Sequence, residues 1–174
     1  MKTHYDRVRR CFSLLCLFVA LVMPAVTGNA AQSTQEALVL EVVYTVCHAD
    51  CDHDTSRLYT SGRLISERVF QERAKSGRTR RVETKQERRL EPDEIKEIVG
   101  WAEQADFLNA QTEYVVTTVQ DSPSYITITY FDKRHYKKVR VSNFAAGNET
   151  ERAKVPLSIM KLARWAQPDA FPGG

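Results

Sequence analysis

The chain has 174 residues, of which 27% are charged and 43% hydrophobic, a composition typical of a folded domain rather than of a disordered chain. Its formal charge of +3 comes entirely from the first 30 residues. The remaining 144 residues hold 21 basic and 21 acidic side chains, so the charge gives no reason to expect a nucleic-acid partner.

The first 30 residues have the three parts of a secretory signal peptide. A basic segment precedes an apolar run at 11–23, and small residues follow at Gly28 and Ala30. The run is shorter than the about 20 apolar residues that cross a bilayer, and no second run follows it, so no membrane span is expected after signal removal. The sequence therefore predicts a signal peptide at 1–30, cleavage after Ala30, and a periplasmic or secreted protein.

The next part of the chain predicts strands. Their ranges, after a flexible leader at 31–37, are 38–46, 57–60, 63–71 and 78–85. A polar loop at 47–54 separates the first two strands, and a hairpin turn is expected at Gly62. The fourth strand has Val82 as its one apolar residue and a row of Arg and Lys, which is typical of an edge strand that resists aggregation.

Basic residues are concentrated between positions 63 and 89, where ten Lys and Arg accompany four Glu. Acidic residues dominate from position 91 to position 106 instead. The favoured interpretation of this segregation is a solvated strand face beside a solvated helix face. The alternative is a site for an anionic partner.

A helix is predicted from Pro92 to Ala105, because proline at the first helical position needs no amide donor and the apolar residues recur every three or four positions. Strands follow at 114–119, 125–131 and 135–142, with a turn at Asp121 and Pro123. A closing helix is predicted at 156–166.

The order of strands, helix, strands and helix predicts an α+β fold. We expect an antiparallel β-sheet of about 5–7 strands with two packed α-helices. The single globular domain is predicted to span 38–168, and 169–174 form a C-terminal tail. A chain of this length can bury a hydrophobic core without a framework of disulfides or metals.

Several motifs occur together in a fixed order. Cys47 and Cys51 form a Cys-x-x-x-Cys pair, Gly62 follows eleven residues later, and an Asp121-Ser-Pro123 turn precedes an Ile-rich hairpin. This order resembles the bacterial domain of unknown function numbered 6438, which is found in exported and lipid-anchored proteins. The likeness covers about 38–166 and implies the fold and export, but no activity, because the family has none assigned.

The loop at 47–54 contains two Cys, two His and three Asp, the densest group of potential ligands after the signal peptide. In an oxidising compartment we expect a local disulfide between Cys47 and Cys51, for which the segment must fold back as a turn. The alternative is a zinc or copper site of Cys47, His48, Cys51 and His53. A disulfide removes both thiolates, so no metal and no other cofactor is expected with it.

The sequence contains no serine-hydrolase, metalloprotease or nucleotide-binding motif, so an enzyme is not expected. We expect a non-enzymatic binding or interaction module of the cell envelope with an unknown envelope or extracellular partner. The alternatives are a metal-handling protein that uses the 47–54 loop and an inhibitor of another secreted protein. An apolar pocket or an exposed tryptophan would favour the binding module, and converging ligand atoms near the cysteines would favour metal handling.

Overall fold

A computed structural model describes residues 36–47, 51–73, 77–118, 123–133, 136–144 and 146–167. The predicted signal peptide, most of the leader, Asp121 and the C-terminal tail lie outside the described residues. Within the described part of the chain, no helix has the length and apolar character needed to cross a membrane.

The described residues form seven strands and four helices. The strands are β1 (Leu38–Cys47), β2 (Cys51–Tyr59), β3 (Arg63–Arg73), β4 (Thr79–Arg89), β5 (Glu113–Val115), β6 (Ser124–Phe131) and β7 (Tyr136–Ser142). The helices are α1 (Pro92–Ala102), α2 (Ala105–Leu108), α3 (Glu149–Arg152) and α4 (Leu157–Ala166). The α+β class is confirmed, with two short helices in addition to the two that the sequence predicted.

All seven strands belong to one sheet in the order β4-β3-β2-β1-β6-β7-β5. Neighbouring strands are antiparallel except β5 and β7, which are parallel. The sheet is therefore mixed, and the prediction of an antiparallel sheet was only partly right. The chain reverses direction from β5 to β6 and again from β6 to β7. Because β7 lies between the other two strands, β5 is therefore next to a strand that runs in its own direction.

Several predicted boundaries were wrong: the strand predicted at 78–85 runs to Arg89, the one predicted at 114–119 ends at Val115, and two further differences involve the cysteine loop and the first helix. The segment from Cys51 to Asp54, predicted as part of a loop, begins strand β2 and pairs with the end of β1. Its two Asp residues have a low strand propensity, and the pairing with an adjacent strand overrides that propensity. The helix from Pro92 ends at Ala102, and a separate short helix begins at Ala105.

One buried cluster joins the sheet to the helices. Ile126 and Ile128 of β6 belong to it, together with Ile98 of α1 and Ile159 and Leu162 of α4. The alternation of apolar residues along β6 directs one side of the strand towards this cluster. The hydrophobic core therefore lies between the centre of the sheet and the two longer helices.

Gly62 lies in the turn between β2 and β3, where its φ of +82° favours glycine. Its amide donates to the carbonyl of Tyr59 at 2.9 Å, and its carbonyl accepts the amide of Leu90 at 2.9 Å. A Cβ at this position would lie 2.6 Å from Cδ1 of Ile95 in α1. The turn therefore requires glycine both for its backbone conformation and for the close approach of α1.

The end of the predicted leader is attached to this turn. The Nε of Arg63 donates to Glu36 at 2.7 Å, and the Ser61 hydroxyl donates to the same carboxylate. The hydrogen bond from Arg63, with that from Ser61, lowers the pKa of Glu36 below its usual value. The amide of Thr60 also donates to the carbonyl of Ala37 at 2.9 Å, so the last two residues of the predicted leader are held against the folded domain.

Candidate functional site

A covalent link closes the β1–β2 hairpin. The antiparallel register places Cys47 opposite Cys51 with 4.1 Å between their Cα atoms, and their Sγ atoms form a disulfide of 2.07 Å. The amide of Cys47 also donates to the carbonyl of Pro123 at 3.0 Å, just before β6. The structure therefore has the predicted disulfide, and antiparallel pairing of two strands provides the fold-back that the disulfide requires.

The potential ligands next to the disulfide make contacts within the sheet. The ring nitrogen Nδ1 of His53 lies 3.1 Å from the hydroxyl oxygen of Thr45 on the facing strand. The Oδ1 atom of Asp52 accepts the amide of Gln71 at 3.1 Å. His48 lies outside the described residues. The described side chains of this segment therefore support strand pairing.

The alternative metal site required the thiolates of Cys47 and Cys51, which the disulfide consumes. Among the described residues, no group of three or more Cys, His, Asp and Glu side chains is arranged to hold a metal ion. These two cysteines are also the only ones in the described part of the chain, which therefore has no free thiol for nucleophilic catalysis.

A concave site, which the sequence analysis missed, lies between α3 and the first turns of α4. It has a volume of about 830 Å³. Its apolar lining consists of Ala153, Val155, Pro156, Leu157 and Met160. We call this site, with the charged residues described below, the α3–α4 groove.

Leu157 is the most exposed large apolar residue of the groove. It is the first residue of α4 and is 63% exposed, whereas Met160, one turn later, is half-buried and packs against the core. The buried face of α4 is formed by other positions, including Ile159 and Leu162. Leu157 therefore contributes an apolar surface that the described fold leaves accessible at the groove.

Three cations and two anions line the same groove. Arg152, Lys154 and Arg164 are the cations. Arg152 is held in place because its Nε donates to the carbonyl of Gly147 at 2.8 Å. Of the anions, Asp106 accepts the amide of Ser158 at 3.3 Å, and Glu149 lies in the first turn of α3. The charged lining therefore has one more cation than anions.

One feature of the sequence could have indicated the groove. Leu157 and Met160 fall outside the apolar stripe that the sequence assigns to the closing helix, so apolar residues occupy two faces of that helix. The tryptophans are a weaker signal, because Trp101 and Trp165 are half-buried and pack against the core. Lys161 Nζ also lies 5.8 Å from the centre of the Trp101 ring.

No protein-family model and no curated protein matches this chain. The resemblance to the bacterial domain of unknown function therefore stays a prediction that rests on its motifs.

Proposed function

We propose that the protein is an exported, non-enzymatic interaction module of the bacterial cell envelope that binds a segment of a partner protein in the α3–α4 groove. The observation that carries this proposal is the exposed side chain of Leu157 within a groove of about 830 Å³. Export is supported by the predicted signal peptide and by the Cys47–Cys51 disulfide, because disulfides persist in oxidising compartments.

The apolar lining provides the binding energy in this proposal. Complete burial of an exposed leucine stabilises a complex by about 1.5–3 kcal/mol. Leu157 begins from 63% exposure, and Met160 beside it adds a flexible side chain that adapts to different partners. These two residues can form the centre of a small interface around one apolar side chain of the partner.

The charged lining provides the selectivity. Lys154 and Arg164 are exposed, and Asp106 accepts a hydrogen bond from the backbone of α4. A carboxylate next to the partner's apolar anchor would meet more cations than anions here, which favours association with acidic segments and disfavours basic ones. The expected ligand is therefore a peptide segment with an apolar residue flanked by Asp or Glu.

A peptide-display selection tests this proposal. A library of random peptides is enriched on the purified chain, and the affinities of enriched peptides are then measured by fluorescence anisotropy. We expect an apolar residue next to an acidic residue in the enriched peptides. The substitution Leu157→Asp should weaken their binding by at least about tenfold, because it removes the apolar contact and adds a repulsive charge.

The matched control is Leu108→Asp, because Leu108 is 41% exposed and does not line the groove. This variant should bind the enriched peptides as the wild type does. Equal losses in the two variants, or enrichment of peptides without acidic residues, would contradict the proposal. Thermal unfolding of both variants verifies that the domain remains folded.

A further inference from the structure

The edge strand β4 presents an unpaired backbone along one side of the sheet. It is eleven residues long and pairs with β3 along its whole length. It is the last strand in the sheet order, and no other described strand pairs with its outer side. Its side chains are exposed except that of Val82, which is half-buried. The outer amide and carbonyl groups of β4 are therefore available to another extended chain.

The β3–β4 hairpin carries a strong excess of positive charge. Its described residues, 63–73 and 77–89, contain nine Arg and Lys and four Glu. All four Glu take part in ion pairs, for example Glu72 with Arg80 at 2.6 Å and Glu83 with Arg81 at 3.2 Å. The hairpin keeps a net positive charge after its own carboxylates are paired, and part of this charge is balanced by Glu36, Asp54 and Glu94 of neighbouring segments.

Basic residues occur on both sides of β4. Cross-strand pairing places Arg88 opposite Leu64 of the core, so Arg80 and Arg88 lie on the side of the sheet that faces the helices. Arg81, Lys85 and Arg89 lie on the opposite side, where Glu83 and Glu87 alternate with them. The charged side chains of β4 are therefore all cations on the helix side, and cations outnumber anions by three to two on the other side.

This arrangement disfavours one kind of partner and favours another. Each copy of β4 carries five Arg and Lys against two Glu, so two copies placed edge to edge repel each other through their net charge, and Arg80 would meet Arg88 in the symmetric antiparallel register. A strand rich in Asp and Glu would instead form opposite-charge pairs across the ladder, in addition to backbone hydrogen bonds. Charge complementarity thus selects an acidic extended segment as the occupant of this edge.

We propose that β4 is a docking edge at which an acidic, extended peptide segment adds as a further strand of the sheet. This inference does not depend on the α3–α4 groove. The basic residues that prevent self-association of the edge give it specificity for the acidic segment. Backbone hydrogen bonds fix the segment along the length of β4.

The test uses a fluorescein-labelled peptide of about ten residues in which two Glu alternate with two Thr, because this length matches β4, Thr favours strands and this repeat puts Glu on both faces of the added strand. A second probe has the same sequence with alternate amides N-methylated, which keeps every charge and blocks strand hydrogen bonds. A third probe has Lys in place of Glu. Affinities for the full chain are measured by anisotropy at physiological salt, where surface electrostatics is partly screened.

We expect the unmethylated acidic peptide to bind, and N-methylation or replacement of Glu by Lys to weaken its binding by at least about tenfold. The double variant Arg81→Glu/Lys85→Glu should also lose at least about tenfold. The control Lys133→Glu/Lys138→Glu makes the same change in net charge at exposed positions in and beside β7, which four strands separate from β4 in the sheet order, and should leave the affinity nearly unchanged.

Three results would overturn the inference. Equal affinity of the methylated and unmethylated acidic peptides would mean that charge alone holds them. An equal loss in the two double variants would mean that net charge, rather than the β4 edge, determines binding. Failure of the unmethylated acidic peptide to bind the wild type would show that β4 does not accept a strand. The N-methylated probe keeps the test valid even if Arg81→Glu/Lys85→Glu disturbs the hairpin.

Discussion

Replacement of Ile128 by alanine tests the assignment of the buried sheet face. Ile128 is fully buried, and its cross-strand neighbours Val42 and Val139 are fully buried as well. Truncation removes the transfer free energy of the lost methyl and methylene groups, about 0.8 kcal/mol for each, and leaves a cavity between three strands that the rigid neighbours fill only partly. We therefore expect Ile128→Ala to lower the free energy of unfolding by about 3–4 kcal/mol.

Urea denaturation followed by far-UV circular dichroism measures this change. The midpoint should fall while the m-value stays constant, because a two-state domain exposes nearly the same surface in both variants. The matched control is Lys138→Ala on β7, an exposed residue whose truncation should change stability by less than about 0.5 kcal/mol. Small and equal effects of the two substitutions would refute the assignment of the buried face.

The neighbouring Lys137 illustrates why the control must be chosen from the structure. On sequence alone, Lys137→Ala is expected to cost almost nothing. Lys137 is half-buried, however, and its Nζ donates to the carbonyl of Ala110 at 2.5 Å. Its truncation would remove a contact between β7 and the segment after α2, so Lys137 is not a neutral position.

Three further predictions concern the turn, the disulfide and a buried phenol. Gly62→Ala should lower the free energy of unfolding by about 1–2 kcal/mol, and with it the melting temperature, because φ is positive and the new Cβ would contact Ile95. An unchanged melting temperature would contradict this prediction. Reduction of the Cys47–Cys51 disulfide should lower the free energy of unfolding by about 2 kcal/mol with the circular dichroism spectrum retained, and collapse of the spectrum would show a larger role. Burial, with a hydrogen bond to Glu103, raises the pKa of Tyr130 from 10.0 to about 12, which favours the neutral phenol in the folded state. The stability that this phenol contributes is therefore present below pH 10 and is lost as the pH rises towards 12, by at most about 2 kcal/mol. Urea melts of Tyr130→Phe should not show this decrease in stability between pH 10 and 12. Parallel pH profiles of wild type and variant would contradict the prediction.

The parts of the fold that local patterns determine were predictable. The apolar run that became β1, the alternation of Ile126, Ile128 and Tyr130 in β6, and the apolar stripe of α4 all follow from which side chains must be buried. Gly62 was predictable as a turn because glycine tolerates a positive φ. These elements together are sufficient for the α+β class.

Features that depend on contacts between distant segments were not predictable from the same patterns. The polar residues that follow Cys51 predicted a loop. They form a strand instead, because they pair with β1 on one side and with β3 on the other. The parallel position of β5 depends on the insertion of β7 between two consecutive strands. The α3–α4 groove combines Asp106 with residues more than 40 positions later, a distance along the chain that no local pattern spans.

We propose above that a partner segment binds in the α3–α4 groove rather than at the disulfide-closed hairpin. Amide hydrogen exchange of the chain, alone and saturated with a peptide enriched in the display selection, tests this claim most directly, because it locates protection along the sequence. We predict new protection in residues 152–160, with exchange in residues 45–53 unchanged. Protection at 45–53 or along β4, with none at 152–160, would contradict the claim and place the binding site elsewhere on the domain.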